Sequence, residues 1–339
     1  MARQGLLDTW VRSKKPPYIM GSEVAGEVIA IGSSVTDFNV GDRVVAIPEF
    51  QAWCEYPVCP SAYCFKIPDD MSYHEAVAIA TDGVTAYTLL FELGTLRPGE
   101  CVLIHSAPGG LANMVSQMAK MVNNVQLFNI ATGSQEEWVP DSTVHYIERG
   151  VDYASEIRHV SPQGVDLVLD CQCEDNFHKD YNLLKPLGKY VLYGTQSAVT
   201  GESRGFFGTA RAWWGMEKIS PLKLYEDNKT ICGFNLRHLL YFQRQHQYVR
   251  TVMHRVFELW KAGTIKPIFD CVLHFDDHAE ALQRILDHSH TGKIILDPMM
   301  TREEMLHTRD YRVVPEEAKH QPTSNNLNIH TFLESRFND

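Results

Sequence analysis

Pro98-Gly99-Glu100-Cys101-Val102-Leu103-Ile104-His105-Ser106-Ala107-Pro108-Gly109-Gly110-Leu111-Ala112 is the stretch that decides the fold. Cys101–His105 reads as a buried strand, and it runs through a Gly-Gly turn into a helix over Gly109–Val122. Adjacent glycines let a backbone approach a pyrophosphate, and a helix N-terminus supplies N–H donors and a partial positive charge. Ala112 stands where close helix–strand packing wants Gly or Ala. The usual first glycine of the dinucleotide fingerprint is missing, so the same residues also fit a strand–helix turn with no ligand.

Outward from this turn, the middle of the chain alternates. Strands are expected at Val125–Ile130, Val165–Asp170, Lys189–Tyr193 and Thr230–Phe234. Helices are expected at Asp152–Val160, Phe177–Leu184 and Tyr248–Lys261, the last with apolar residues at helical spacing. Such alternation predicts an α/β protein with a Rossmann-type, doubly wound parallel sheet. A short helix near Asp277–Asp287 leads to a last strand, Lys293–Leu296. The first third is Val-, Ile- and Gly-rich with turn punctuation, which predicts short strands at Gly26–Ile31 and Arg43–Ile47. Ser72 and Glu75 form a capping box that opens a helix through about Ala80. Beyond Pro298 the chain turns polar, and 299–339 reads as a flexible tail.

With 44% hydrophobic and 22% charged residues, the composition excludes a chain disordered throughout. A net charge of −11 argues against broad affinity for nucleic acid or anionic lipid, so no nucleic-acid partner is expected. Met1–Pro17 carries no apolar segment of the signal-peptide kind, and a reducing, cytoplasmic compartment is expected for the cysteines. The most apolar stretch, Ala76–Phe91, contains Asp82 and Gly83 and reads as too short for a bilayer.

Cofactor choice is read after the second strand of the alternating region. Phe128–Gln135 offers no carboxylate for a ribose 2′-hydroxyl, which favours NADPH over NADH. Ser134 and Gln135 could hydrogen-bond a 2′-phosphate and Arg149 could supply its counter-charge; a solvated loop arginine is the other reading of Arg149. Cys54, Cys59 and Cys64 are five apart, a spacing that alternates strand faces, and Cys171-Gln172-Cys173 has no second pair, so no zinc site is expected. No Gly-x-Ser-x-Gly elbow supports a hydrolase. The aromatic residues of Phe206–Trp214 fit core packing or a flat pocket.

Taken in order, Gly21-x-Glu23-x-Ala25-Gly26-x-Val28, Gly41-Asp42-Arg43-Val44, Thr85-Ala86-Tyr87, Pro98 to Gly110, Ser161-Pro162-x-Gly164-Val165-Asp166, Tyr181–Lys189, Cys232-Gly233-Phe234, Gly263-x-Ile265-Lys266-Pro267 and Gly292-Lys293 resemble the zinc-independent quinone-oxidoreductase branch of the medium-chain dehydrogenase/reductase superfamily. Within it they are most similar to the synaptic vesicle amine transport protein group. The resemblance implies a split GroES-like catalytic domain over 1–87 and 268–298, with a Rossmann NADP-binding domain over 88–267. It implies hydride transfer from NADPH to a quinone or enone. Thr85, Ala107, Gly109, Gly110 and Leu111 would hold the cofactor, with Phe234 toward its nicotinamide end. A homodimer and peripheral contact with vesicle or outer mitochondrial membrane are further expectations of the resemblance. Ser22 stands where zinc-dependent relatives have His.

The chain also departs from the family. The motif Asn-Phe-x-Asp-x-x-x-Arg-x-Gly survives only as Met1-Ala2-Arg3-Gln4-Gly5, so the GroES-like domain reads as incomplete and no general acid is assigned. Gln135 replaces a lysine, Ala112 the last Gly of the turn, and Asp82 an Asn. These departures sustain an alternative: a non-catalytic, membrane-associated binding protein that keeps the reductase fold.

Overall fold

The computed structural model describes residues 18–105, 109–131, 144–172, 177–194, 220–287, 290 and 292–301. Its centre is a six-stranded sheet built from β4 (Cys101–His105), β5 (Gln126–Ala131), β6 (Val144–Glu148), β7 (Val165–Asp170), β8 (Leu184–Leu192) and β9 (Thr230–Gly233). The spatial order is β6-β5-β4-β7-β8-β9, and every neighbouring pair is parallel. Parallel neighbours need crossovers, which here carry α2 (Gly110–Ala119), α3 (Tyr153–Val160) and α4 (Phe177–Leu183).

Residue alternation along the strands assigns the two faces. Val102 and Ile104 of β4, with Leu167 and Leu169 of β7, join a large core with α2, α1 (Tyr73–Tyr87) and α6 (His246–Lys261). Cys101, Leu103 and Val168 face the opposite way, into a second core with Tyr153 and Ile157 of α3 and Tyr181 and Leu183 of α4. This is the doubly wound sheet expected from the alternation.

Outside it, β1 (Val24–Glu27), β2 (Arg43–Ala46) and β3 (Cys64–Lys66) form an antiparallel three-stranded sheet. Val45 and Phe65 of that sheet enter the same core as α1 and α6. A separate parallel pair joins β10 (Phe269–Leu273) to β11 (Lys293–Leu296), with α7 (His278–Leu286) between them.

Several boundaries differ from the sequence reading. The strand expected over Gly26–Ile31 ends at Glu27, because Val28 already closes the hairpin: its N–H donates to Asp42 O, and Gly41 N–H donates to Val28 O. The strand expected to open at Lys189 begins at Leu184 and takes a register slip against β7, with Leu187 at φ 67°. Neither β3, β10 nor the short α5 (Pro221–Asp227) was anticipated. The capping box is present as read, with Glu75 N–H donating to the Ser72 hydroxyl and Ser72 N–H to the Glu75 carboxylate.

The helix it opens runs far past Ala80. α1 continues through a π-helical turn, Thr88–Leu93, to make 21 helical residues over Tyr73–Leu93. By length and composition that helix could cross a membrane, which corrects the expectation of a stretch too short. Its most apolar window is 78% buried inside the protein. The two residues that seemed to break it each have a distant partner. A Cβ on Gly83 would lie 2.6 Å from Val256 Cγ1, so α6 packs directly on the glycine. Asp82 is paired with Lys293 of β11. The aromatic run 206–214 and the segment 302–339 lie outside the described residues.

Candidate functional site

In a parallel sheet every strand ends at the same edge, and ligands collect where the strand order reverses, here beside β4. β4 ends at His105, and α2 begins at Gly110 with Gly109 as its N-cap. Gly109 has extended backbone (φ 177°), which any residue adopts, so its φ does not demand glycine. Gly110 is different: a Cβ there would collide with Asp82 Oδ2. The glycine therefore admits α1 and its carboxylate against the start of α2.

Thr85 sits one turn beyond Asp82 on α1, 1% exposed, and its Oγ1 has no hydrogen-bond partner among the described residues. A buried hydroxyl left unsatisfied costs about 1–3 kcal/mol, so it marks a place where a ligand atom would be welcome. Leu111 is half-buried against the main core. Phe234 follows β9, donates its N–H to Leu192 O at 2.8 Å, and buries its ring in that core. Arg149 follows β6 and is half-buried, bridging to Val151.

Gly109, Gly110, Leu111, Arg149 and Phe234 thus follow the C-terminal ends of β4, β6 and β9, and Thr85 lies on α1 one turn from Asp82, which abuts Gly110. Ala107, Ser134 and Gln135 lie outside the described residues.

Beneath the turn lies a polar network absent from the sequence reading. His105 Nε2 is 2.8 Å from Asp180 Oδ2, without the alignment of a hydrogen bond; both side chains are almost fully buried. Tyr153 Oη donates to Asp180 Oδ1 at 2.7 Å, and Tyr190 Oη to Asp170 Oδ2 at 2.6 Å. Tyr193 Oη and the Cys171 thiol both donate to His105 O. Burial, and then the Asp180 charge, push the Tyr153 phenol well above its ordinary range, so it remains a donor. The network links β4 and the ends of β7 and β8 to α3 and α4, and gives the turn a rigid floor.

A second buried cluster joins three distant segments. Lys293 Nζ lies 2.9 Å from Glu23 Oε2 and 3.4 Å from Asp82 Oδ2, with all three side chains no more than 3% exposed. The Thr81 N–H donates to Glu23 Oε1 at 3.1 Å. Burial opposes the charge on Lys293, but Asp82 and Glu23 outweigh it and raise its pKa. Burial likewise opposes the Glu23 charge, and Lys293 with the Thr81 hydrogen bond brings that carboxyl well below its usual range.

The cysteine reading needs correction. Cys59 and Cys64 do converge, with their sulfurs 3.2 Å apart, because Pro60 and a 3₁₀ turn over Ser61–Tyr63 fold the chain back between them. Alternation of faces applies only to a continuous strand, and β3 starts at Cys64. Among the described residues no three His, Cys, Asp or Glu side chains form a metal-sized cluster. Sequence spacing could find the glycine turn but not these clusters, whose members come from separate elements.

Two family models match the chain: an alcohol dehydrogenase GroES-like domain over residues 2–89 and a zinc-binding dehydrogenase over 144–296. Over 340 residues it is 42% identical to the synaptic vesicle membrane protein VAT-1 homolog-like of Mus musculus, covering 98% of this chain and 80% of the relative. The crystal structure of the human VAT-1 homolog-like protein superposes with a TM-score of 0.73 at 38% identity, over 87% of this chain and 86% of that one. Escherichia coli quinone oxidoreductase, solved in complex with NADPH, shares the fold at a TM-score of 0.70 and 21% identity, over 86% of this chain and 88% of that one.

Proposed function

We propose a function from the premise that the chain belongs to the medium-chain dehydrogenase/reductase family, among the VAT-1 homologs: it binds NADPH and directs hydride to a quinone or conjugated carbonyl. The observation that carries the reading is the buried Thr85 hydroxyl, unpartnered among the described residues and one helical turn from the Asp82 that abuts Gly110 at the start of α2, at the edge where a dinucleotide lies in such sheets. NADPH, when bound, supplies the hydride.

The chain's own residues bind and orient. The first N–H groups of α2 would meet the pyrophosphate, with Ala107, Gly109, Gly110 and Leu111 keeping the approach close. Arg149, with Ser134 and Gln135, would face the 2′-phosphate. Thr85 and Phe234 would stand at the nicotinamide end, the first as a polar anchor and the second as an apolar wall that excludes water. Orientation and a dry site are the protein's contribution to such a reaction. In this reading 1–87 and 268–298 carry the substrate side, and 88–267 the cofactor.

A second reading has one observation in its favour. Asp82 puts a buried carboxylate against Gly110, at the end of α2 where a pyrophosphate would bring its own negative charge. A chain that keeps the fold while binding its dinucleotide weakly would be a non-catalytic relative. The names of its relatives then make peripheral contact with a vesicle membrane the expected role, and flotation with liposomes tests it.

Fluorescence titration with NADPH and NADH, followed by quinone-dependent NADPH oxidation, separates the two readings. Saturable binding that favours NADPH, with turnover, supports the reductase. Equal affinities for the two cofactors would refute the 2′-phosphate assignment, and absence of turnover would move the case to the second reading.

A further inference from the structure

Cys59 and Cys64 have no place in the site above, yet their sulfurs lie 3.2 Å apart. A disulfide needs about 2.04 Å between sulfurs, so the pair must close by little more than 1 Å. The two residues differ in freedom. Cys64 opens β3 and is held in register opposite Ala46, whereas Cys59 sits in a loop outside any strand. Both are half-buried, and the residues leading up to them are open to solvent, with Tyr56 70% and Val58 90% exposed. A small oxidant therefore reaches the pair. Cys101, Cys171 and Cys271 are buried, and the Cys54 thiol is turned to Gln51 O.

We propose that Cys59 and Cys64 are a redox modification site that closes to an intramolecular disulfide by two-electron oxidation with a hydroperoxide. Cys59 is the attacking sulfur. Either thiol can donate in the sulfur–sulfur contact; with Cys64 as donor, the hydrogen bond holds the Cys59 pKa below the ordinary thiol value against the opposing effect of burial, while the same bond and burial push Cys64 up. The Cys59 thiolate attacks the terminal peroxide oxygen and the O–O bond breaks. The alkoxide, or hydroxide from hydrogen peroxide, leaves with the proton given up by the thiols, and Cys59 becomes a sulfenic acid. The Cys64 sulfur then displaces the sulfenic oxygen as water, forming the S–S bond. Two thiols give up two electrons and two protons; the hydroperoxide becomes an alcohol, or water, and a second water.

The pair also borders a seam between elements. Tyr63, just before Cys64, packs edge-on against Tyr241 and His246, with ring centroids 5.1 Å and 5.4 Å away. Tyr241 Oη in turn donates to Ile47 O. Oxidation would lock the short loop that presents Tyr63 to this seam.

The test uses the reduced full chain treated with hydrogen peroxide, then alkylated and digested without reductant. The expected result is a loss of two hydrogens from the intact mass, a cross-linked Cys59–Cys64 peptide, and reversal by dithiothreitol. In Cys64→Ala, which removes both the second sulfur and the hydrogen-bond donor, Cys59 should stop at a sulfenic acid trapped by dimedone, and its alkylation at neutral pH should slow roughly tenfold as its thiolate fraction falls. Wild-type chain equilibrated in glutathione buffers should show one two-electron transition for this pair, a readout that needs no variant. Full alkylation of both thiols after peroxide treatment, or Cys59 passing to the sulfinic acid with no cross-linked peptide, would overturn the proposal.

Discussion

Replacing Lys293 with Met should destabilise the protein severely and reverse part of its response to pH. The ammonium lies 2.9 Å from Glu23 and 3.4 Å from Asp82. At an effective dielectric of about 20 those separations correspond to gross attractions of roughly 6 and 5 kcal/mol. Desolvation of three buried charges takes most of this back, so the intact cluster contributes little net stability. Met fills similar space but leaves two buried carboxylates facing one another, and breaking such a cluster costs about 3–5 kcal/mol. The pH dependence identifies the cause. In the wild type the Glu23 pKa is depressed, so its contribution is present above the unfolded carboxylate value of about 4.3 and is lost as pH falls below it. In Lys293→Met, burial acts on Glu23 without its counter-charge and raises its pKa, so the folded state gains stability as pH falls through that raised value. The gap between the two proteins should therefore narrow on acidification. Guanidinium unfolding at neutral and mildly acidic pH measures it, and adding Glu23→Gln and Asp82→Asn should recover most of the loss. A gap under about 1 kcal/mol at neutral pH, or one unchanged by acid, would refute the reasoning.

Three further outcomes are expected. Arg149→Ala should reduce the preference for NADPH over NADH by about 1–2 kcal/mol, read by titrating both cofactors; an unchanged preference would return Arg149 to a loop role. Asp82→Asn, which removes a negative charge beside Gly110, should tighten NADPH binding by about 0.5–1 kcal/mol in the same titration, and weaker binding would show that the carboxylate holds the turn in shape. Gly83→Ala places a methyl 2.6 Å from Val256 Cγ1 and should cost about 1–3 kcal/mol in thermal or denaturant unfolding, while Val256→Ala in the same chain should relieve it; a stabilised single variant would mean that helix propensity outweighs the overlap.

The parts of the fold legible in the sequence are those whose causes are local. The Ser72–Glu75 box is a contact between residues three apart, and it was readable because nothing distant is needed to satisfy it. β4, β5, β7, β8 and β9 were readable for the same reason: a strand buried on both faces and a turn with glycines leave their mark in consecutive residues. The candidate site was legible only in part. Gly109, Gly110 and Arg149 were nominated because they follow strand ends, which all meet at one edge of a parallel sheet, whereas Leu111 and Phe234 came from the family resemblance. Thr85 was reached through the family resemblance; that its hydroxyl is buried and unpartnered is a property of packing.

Tertiary structure decided the rest. Asp82 and Gly83 read as interruptions of the apolar stretch Ala76–Phe91, and a charge and a flexible backbone both disfavour a buried helix. The helix persists because Lys293, 211 residues away, neutralises the first and Val256 packs on the second. Cys59 and Cys64 read as diverging under strand geometry, and a 3₁₀ turn between them brings them together. His105 and Asp180, 75 positions apart in the numbering, meet only once α4 is laid across the sheet. Hydrogen bonds and periodicity act within a few residues and are written in order along the chain. Charge pairing and close packing act through space, and the partner of a buried group is settled only when the sheet closes around it.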